Sequence, residues 1–238
     1  MELNFEKLIW DSEFFNMKIG RVNGDLENEN DIKKIESLLA DNEVDLSYFS
    51  TQKEISQLIS SSKRYEFKLV DKKTTYFREM YSENELSADL SSYSSKTSNS
   101  KLDNLAIQSG VFSRFNVDKK IEKQKFEELY KLWISKSLTR EIAKEVLVYK
   151  MENEIVGFVT LAIKGDDAFI GIIAVDDTKR GNGIGANLMK GAENWFYKNN
   201  FDLLRVVTQG DNFSACKFYE KCGYSIEQKE FFYHIWKK

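Results

Sequence analysis

Three alternating glycines are the residues best spaced for chemistry in this chain. They lie in Arg180-Gly-Asn-Gly-Ile-Gly-Ala186, between an apolar run and an amphipathic stretch. Glycine lets backbone amides approach a ligand closely and adopt positive φ. Amides at a helix N-terminus then point at an anion, and the helix dipole assists them. A phosphate or pyrophosphate is the natural guest. The plain alternative is a glycine-rich turn with no ligand.

Residue counts exclude several other chemistries. The chain has one histidine, His234, so a zinc enzyme with two or three histidine ligands is excluded and no metal is expected. Ser-His-Asp or Cys-His catalysis would need that residue. It sits in Phe231-Phe-Tyr-His-Ile-Trp236, where it reads as a half-buried strand residue. Cys216 and Cys222 are the two cysteines. They are off one helical face and read as reduced thiols rather than a staple or a metal site. Proline is absent, so Gly, Asn, Asp and Ser must make every turn.

Basic residues number 35 against 38 acidic ones over 238 positions, a net charge of −3. The general electrostatic footprint of a nucleic-acid binder is missing. No apolar run approaches the roughly 18 residues of a membrane span. The opening Met1-Glu-Leu-Asn-Phe-Glu has neither the basic nor the apolar part of a signal peptide. A cytoplasmic protein with no membrane partner is the expectation.

The elements that must hold the glycine loop follow from periodicity. A serine-rich, polar stretch at 82–104 reads as a linker. It separates an N-terminal α/β domain (1–81) from a C-terminal domain (105–238). Before it, strands fit Leu8–Trp10, Lys18–Val22, Leu46–Ser50, Phe67–Val70 and Thr75–Met80, and helices fit Ile32–Ala40 and Glu54–Ser60. The strands are short and few, so this half reads as an incomplete α/β unit needing a partner surface, for acceptor binding or for a homodimer.

After the linker, Ile121–Leu138 carries Phe126, Leu129, Tyr130 and Trp133 at helical spacing. Glu145–Met151 and Glu154–Ile163 form a hairpin around Glu152-Asn153. Ala168–Val175 is nearly all apolar, as a buried central strand should be. Helix Ile184–Lys198, strand Leu203–Thr208, helix Phe213–Lys221 and one or two strands over Tyr224–Trp236 follow. The order α-β-β-β-α-β-α-β defines a mixed α/β domain of the α+β type.

Gly181, Gly183 and Ala186 formally satisfy the dinucleotide fingerprint. Against that reading, the loop does not abut its strand and strand Leu203–Thr208 ends in no acidic residue. Only 53 residues follow Gly185, too few for a doubly wound sheet. A P-loop would need Gly-Lys-Ser/Thr, which is missing. The spacing Arg180-x-x-Gly183-x-Gly185 after an apolar strand instead resembles the acetyl-CoA loop of the GNAT acetyltransferase superfamily. The later segment Asn212-Phe-Ser-Ala-Cys-Lys-Phe-Tyr219-Glu-Lys-Cys-Gly223-Tyr224 resembles the same family in register. Asp177 stands where many members have proline.

The resemblance implies a GNAT fold in the C-terminal part and acetyl-CoA as cosubstrate. The sheet would splay beyond the central strand, and the cofactor arm would pair with Ile173, Ala174 and Val175. The pyrophosphate would sit on the amides of Arg180, Gly181, Asn182, Gly183, Ile184, Gly185 and Ala186. Asn212 would touch the cofactor arm, although the residue reads equally well as a helix N-cap. Tyr219 would be the general acid that protonates the CoA thiolate as an amine displaces it; its plain alternative is a core tyrosine. A backbone N–H near Ala174 would polarise the thioester carbonyl. No carboxylate stands out as the base.

A narrower resemblance, to bacterial TDP-fucosamine N-acetyltransferases, rests on Leu8-Ile-Trp-Asp-Ser-Glu-Phe-Phe-Asn-Met-Lys-Ile-Gly-Arg21, Ser109-Gly-Val-Phe-Ser-Arg-Phe115, Val206-Val-Thr-Gln-Gly-Asp-Asn212 and the aromatic ending. It implies a nucleotide-activated amino sugar, destined for a surface polysaccharide, as acceptor. Arg114 would then bind the nucleotide diphosphate bidentately, with a solvated surface arginine as the alternative. Two other readings stay open: a GNAT enzyme for another amine (a protein N-terminus, a polyamine or an aminoglycoside) and a non-catalytic acyl-CoA-binding module.

Overall fold

The computed structural model describes residues 2–60 and 62–238. The chain forms two compact units, one of residues 1–73 with 229–238 and one of 74–228. The strands are β1 (Asn4–Lys7), β2 (Ile19–Asn23), β3 (Leu46–Thr51), β4 (Tyr65–Glu79), β5 (Leu90–Ser92), β6 (Glu145–Met151), β7 (Glu154–Lys164), β8 (Asp167–Val175), β9 (Leu203–Gln209) and β10 (Ser225–Lys237). The helices are α1 (Ile9–Phe15), α2 (Glu29–Asp41), α3 (Ser56–Ile59), α4 (Ser100–Ser109), α5 (Arg114–Val117), α6 (Lys123–Leu138), α7 (Ile184–Lys198) and α8 (Phe213–Lys221). The mixed α/β class expected from the sequence is what the chain adopts.

In the first unit β1 pairs antiparallel with β2, β2 parallel with β3, and β3 antiparallel with the last part of β10. The register Tyr233↔Phe49 and Ile235↔Ser47 brings the chain's final strand against β3. Tyr233 and Ile235 share one core with Val22, Ile35, Leu39 and Phe49. The core that looked incomplete in residues 1–81 is thus completed by residues from the other end of the chain. His234, expected to be half-buried, is fully buried opposite Tyr48.

Two other expectations for this unit need correction. Leu8–Trp10 is no strand: Ile9 and Trp10 begin α1. Ser12 Oγ donates to the Leu8 carbonyl at 2.7 Å and accepts from the Ile19 amide at 3.0 Å, and Asn16 ends the helix at φ 53°. Local hydrogen bonding by serine and the left-handed tolerance of asparagine outweigh the β propensity of Ile and Trp. Strands Phe67–Val70 and Thr75–Met80 are one continuous strand, β4.

In the second unit the strand order is β5-β6-β7-β8-β9, with the later residues of β4 beyond β9. Each neighbouring pair from β5 to β8 is antiparallel and β8 runs parallel to β9, with α7 as the crossover. β7 is buried along most of its length, as its mostly apolar sequence requires. Leu188, Ala192 and Phe196 of α7 pack on this sheet with Val159, Leu161, Ile170 and Leu204.

The serine-rich stretch at 82–104 contains β5 and the first residues of α4. Asn84 fastens it to α7: its amide donates to Asn194 Oδ1 at 2.6 Å and its carbonyl accepts from Asn194 Nδ2 at 2.8 Å. The compact units divide inside β4 and again inside β10. The residues 225–237 form one strand, not two.

Candidate active site

β8 and β9 pair only through Ala168↔Leu204, Phe169↔Arg205 and Ile170↔Val206. β8 continues to Val175, still paired with β7 through Gly157↔Val175. Its last residues therefore have a partner on one side and open space on the other. A cavity of about 690 Å³ lies in that opening. Ile173, Ala174 and Val175 form one wall.

The glycine loop forms the next wall. Asp176 caps a short 3₁₀ turn (Asp177–Lys179), its carboxylate accepting from Thr178 N at 3.0 Å and Thr178 Oγ1 at 2.7 Å. This capping supplies the stiffness that a proline at Asp177 would otherwise give. Lys101 forms an ion pair with Asp176, and its proximity, with the Thr178 bonds, holds that carboxyl well below the usual carboxylate range. Gly181 and Gly183 both have positive φ, 85° and 74°. Gly183 is the N-cap of α7 and offers no side chain to cap it. The amides of the first helical turn have no acceptor within an α-helix, so those of Ile184, Gly185 and Ala186 at this end are available to an anion.

Every residue expected to hold the cofactor lines this cavity except Asn182, whose side chain turns back to the Lys179 carbonyl at 3.1 Å. Arg180 lines it, yet its Nε donates to the Val175 carbonyl at 3.3 Å. With the Gln108 amide turned so that its oxygen faces the Asp177 amide, that oxygen also accepts from Arg180 Nη2 at 3.2 Å. That guanidinium ties the loop to β8 and α4. Asn212 caps α8, accepting from Ala215 N at 3.2 Å, while also lining the cavity.

Tyr219 projects from α8 into the same cavity and is 4% exposed. Its ring packs against Tyr76, 5.7 Å between centroids, and against Phe218 and Tyr224. Burial pushes its phenol well above the ordinary tyrosine range. The phenol keeps its proton at neutral pH, which an acid must do.

Arg114 begins α5, and its guanidinium lies over the Phe115 ring, 4.7 Å from the centroid. The cavity wall is built without it. The neighbouring Val111 and Phe112 do line the cavity and are 50% and 41% exposed. Sequence reasoning missed them, together with Gln108, Phe218, Lys221 and Cys222. A signal for Phe218 and Cys222 existed: 215, 218, 219 and 222 recur at the three- and four-residue spacing of one helical face. Burial raises the Cys222 thiol, consistent with an unreactive packing role.

The described residues hold no group of three or more His, Cys, Asp or Glu side chains suited to a metal. No helix among them is long and apolar enough to cross a membrane.

A splayed sheet, uncapped amides at the start of a crossover helix and a buried tyrosine on one cavity are the marks of an acyl-CoA transferase fold. Residues 112–224 match the model of the acetyltransferase (GNAT) family. Streptothricin acetyltransferase A of Bacillus subtilis (strain 168) is 30% identical over 122 residues, spanning 51% of this chain and 69% of that protein. The dTDP-fucosamine acetyltransferase of Escherichia coli O6:H1 is 34% identical over 100 residues, spanning 41% of this chain and 42% of that protein. A functionally unknown conserved protein from Staphylococcus epidermidis ATCC 12228 shares the fold, with a TM-score of 0.63 at 14% identity over 97% of this chain and 89% of that one. The chain belongs to the GNAT acetyltransferase family. It spans less than half the length of several curated relatives that it matches.

Proposed function

We propose that the protein transfers an acetyl group from acetyl-CoA to the amine of a nucleotide-activated amino sugar of the TDP-4-amino-4,6-dideoxyhexose type. One observation carries the reading. The free amides of α7 and the buried phenol of Tyr219 face one cavity, whose third wall is the end of β8 that has parted from β9. The fit to acetyl-CoA is physical. The α7 amides suit a pyrophosphate, and the edge of Ile173–Val175 suits an amide-bearing arm that hydrogen-bonds as a strand does.

The residues then divide the work. The loop amides anchor the donor, and the β8 edge fixes the thioester's direction. A backbone N–H near Ala174 polarises the carbonyl. Tyr219 holds the proton that the departing sulfur takes.

The sugar-nucleotide acceptor is supported by the 34% identity to a dTDP-fucosamine acetyltransferase. The diphosphate of such an acceptor would meet Arg114, in the segment that follows Val111 and Phe112 of the cavity mouth. A second reading, an antibiotic amine, is supported by the 30% identity to a streptothricin acetyltransferase. Incubation with acetyl-CoA and a panel of amines, read by mass spectrometry of products, separates the two. Acetylation of the amino-sugar nucleotide alone is expected. Acetylation of streptothricin or a polyamine without the sugar would overturn the acceptor and keep the donor.

A further inference from the structure

The β7–β8 ladder is irregular at one place. Val159 pairs with Ile173, and Leu161 pairs with Ile170. One residue of β7, Thr160, therefore stands opposite two of β8, Gly171 and Ile172, which is a β-bulge. Thr160 is 1% exposed, and its Oγ1 accepts from the Ile172 amide at 2.8 Å. A side chain thus takes the amide proton that a regular ladder would send to a carbonyl.

Gly171 is the complement of that hydroxyl. A Cβ built there would lie 2.6 Å from Thr160 Oγ1, so only glycine leaves the hydroxyl its place. The bulge also coincides with the parting of the sheet. Ile170↔Val206 is the last β8–β9 pair, and Gly171 follows it directly. Three residues beyond Ile170, β8 has become a wall of the cavity.

We propose that Thr160 is a positioning residue for the donor site: its hydroxyl props the bulge at Gly171–Ile172 and so sets where β8 turns away from β9. The inference rests on the acetyl-CoA reading of the cavity. A bulge adds a residue to one strand, bends it and increases its twist. The bend aims the Ile173–Val175 edge at the donor arm. Loss of the hydroxyl leaves the partly buried Ile172 N–H without its acceptor, and the strand relaxes toward continued pairing.

The test uses the 238-residue protein with Thr160→Val, Thr160→Ser and Gly171→Ala. Amide hydrogen exchange at Ile172 and the separate KM values for acetyl-CoA and for the amine are the readouts. In Thr160→Val, Ile172 exchange should quicken at least about tenfold. The acetyl-CoA KM should rise about as much, with the amine KM kept. Thr160→Ser retains the hydroxyl and should restore both. Gly171→Ala pushes the hydroxyl aside and should reproduce the valine phenotype, should the valine variant fail to fold.

Unchanged Ile172 exchange and acetyl-CoA KM in the valine and alanine variants, with donor binding by the unsubstituted protein intact, would overturn the role of Thr160 alone. Equal impairment by valine and serine would do the same. Failure of the unsubstituted protein to bind acetyl-CoA would overturn the reading of the cavity and this role with it.

Discussion

Lys101, in the first turn of α4, is ion-paired with Asp176 at the entry to the glycine loop. The pair fastens a helix drawn from the serine-rich side of the unit to the turn that leads into the glycine loop and the α7 amides. Asp176 is 15% exposed in its side chain and Lys101 41%, so the carboxylate is the better shielded partner.

The pair gives the loop a predictable pH response. Asp176 has a folded-state pKa below its unfolded value, chiefly because of Lys101. Its stabilisation is therefore complete above the ordinary carboxylate range and is lost as pH falls through and below about 4. Lys101→Met should reduce stability at pH 7 and flatten its fall between about pH 5 and pH 2. Urea unfolding at a series of pH values checks this. A variant curve parallel to that of the unsubstituted protein would contradict the coupling.

Gly183 holds φ 74° at the start of α7. A β-carbon in that conformation costs roughly 1–2 kcal/mol, and relief of the strain would turn the first-turn amides. Gly183→Ala should weaken acetyl-CoA binding about tenfold or more. Calorimetric titration measures it, and an unchanged Kd would remove the loop from the donor site.

Asn194 is 4% exposed and bonds Asn84 through both ends of its amide. Nearby, Glu193 is buried and bonded by Arg78, Tyr224 and Asn84. Asn194→Ala leaves the Asn84 amide and carbonyl without these partners, at a cost of about 1–3 kcal/mol. The expected outcome is faster cleavage by a Glu-specific protease after Glu83 or Glu85, with donor affinity kept. Cleavage no faster than in the unsubstituted protein would show that other contacts hold the segment.

Arg114→Ala tests the acceptor side. The KM for the amino-sugar nucleotide should rise roughly tenfold, the size of a lost charge-assisted contact, while the acetyl-CoA KM stays. An unchanged sugar KM would return Arg114 to its packing on Phe115.

Much of the candidate site was legible because its residues are close in sequence. The loop from Arg180 to Ala186 and the α8 segment from Asn212 to Tyr219 each carry their geometry locally, in glycine φ values and helical spacing. The direction of the Arg180 side chain was not legible, since it depends on Gln108 and the Val175 carbonyl. α4 was hidden because Leu102, Leu105 and Ala106 bury one narrow face of an otherwise polar segment. Its Asn99 cap, accepting from Leu102 N at 2.9 Å, was the available clue. The pairing of Tyr233 with Phe49 was out of reach, because a long-range strand partner leaves no local pattern. Thr160 was invisible for the same reason: a hydroxyl in an apolar strand acquires meaning only opposite Gly171.

The central claim is acetyl transfer with Tyr219 as the proton donor, and CoA thiol release with the amino-sugar nucleotide tests it most directly. The unsubstituted protein should turn over, and Tyr219→Phe should lose about 10²-fold or more in kcat while its acetyl-CoA KM stays. Equal kcat values for the two proteins would contradict the role of Tyr219. No thiol release with any amine, from a protein that still binds acetyl-CoA, would contradict catalysis itself.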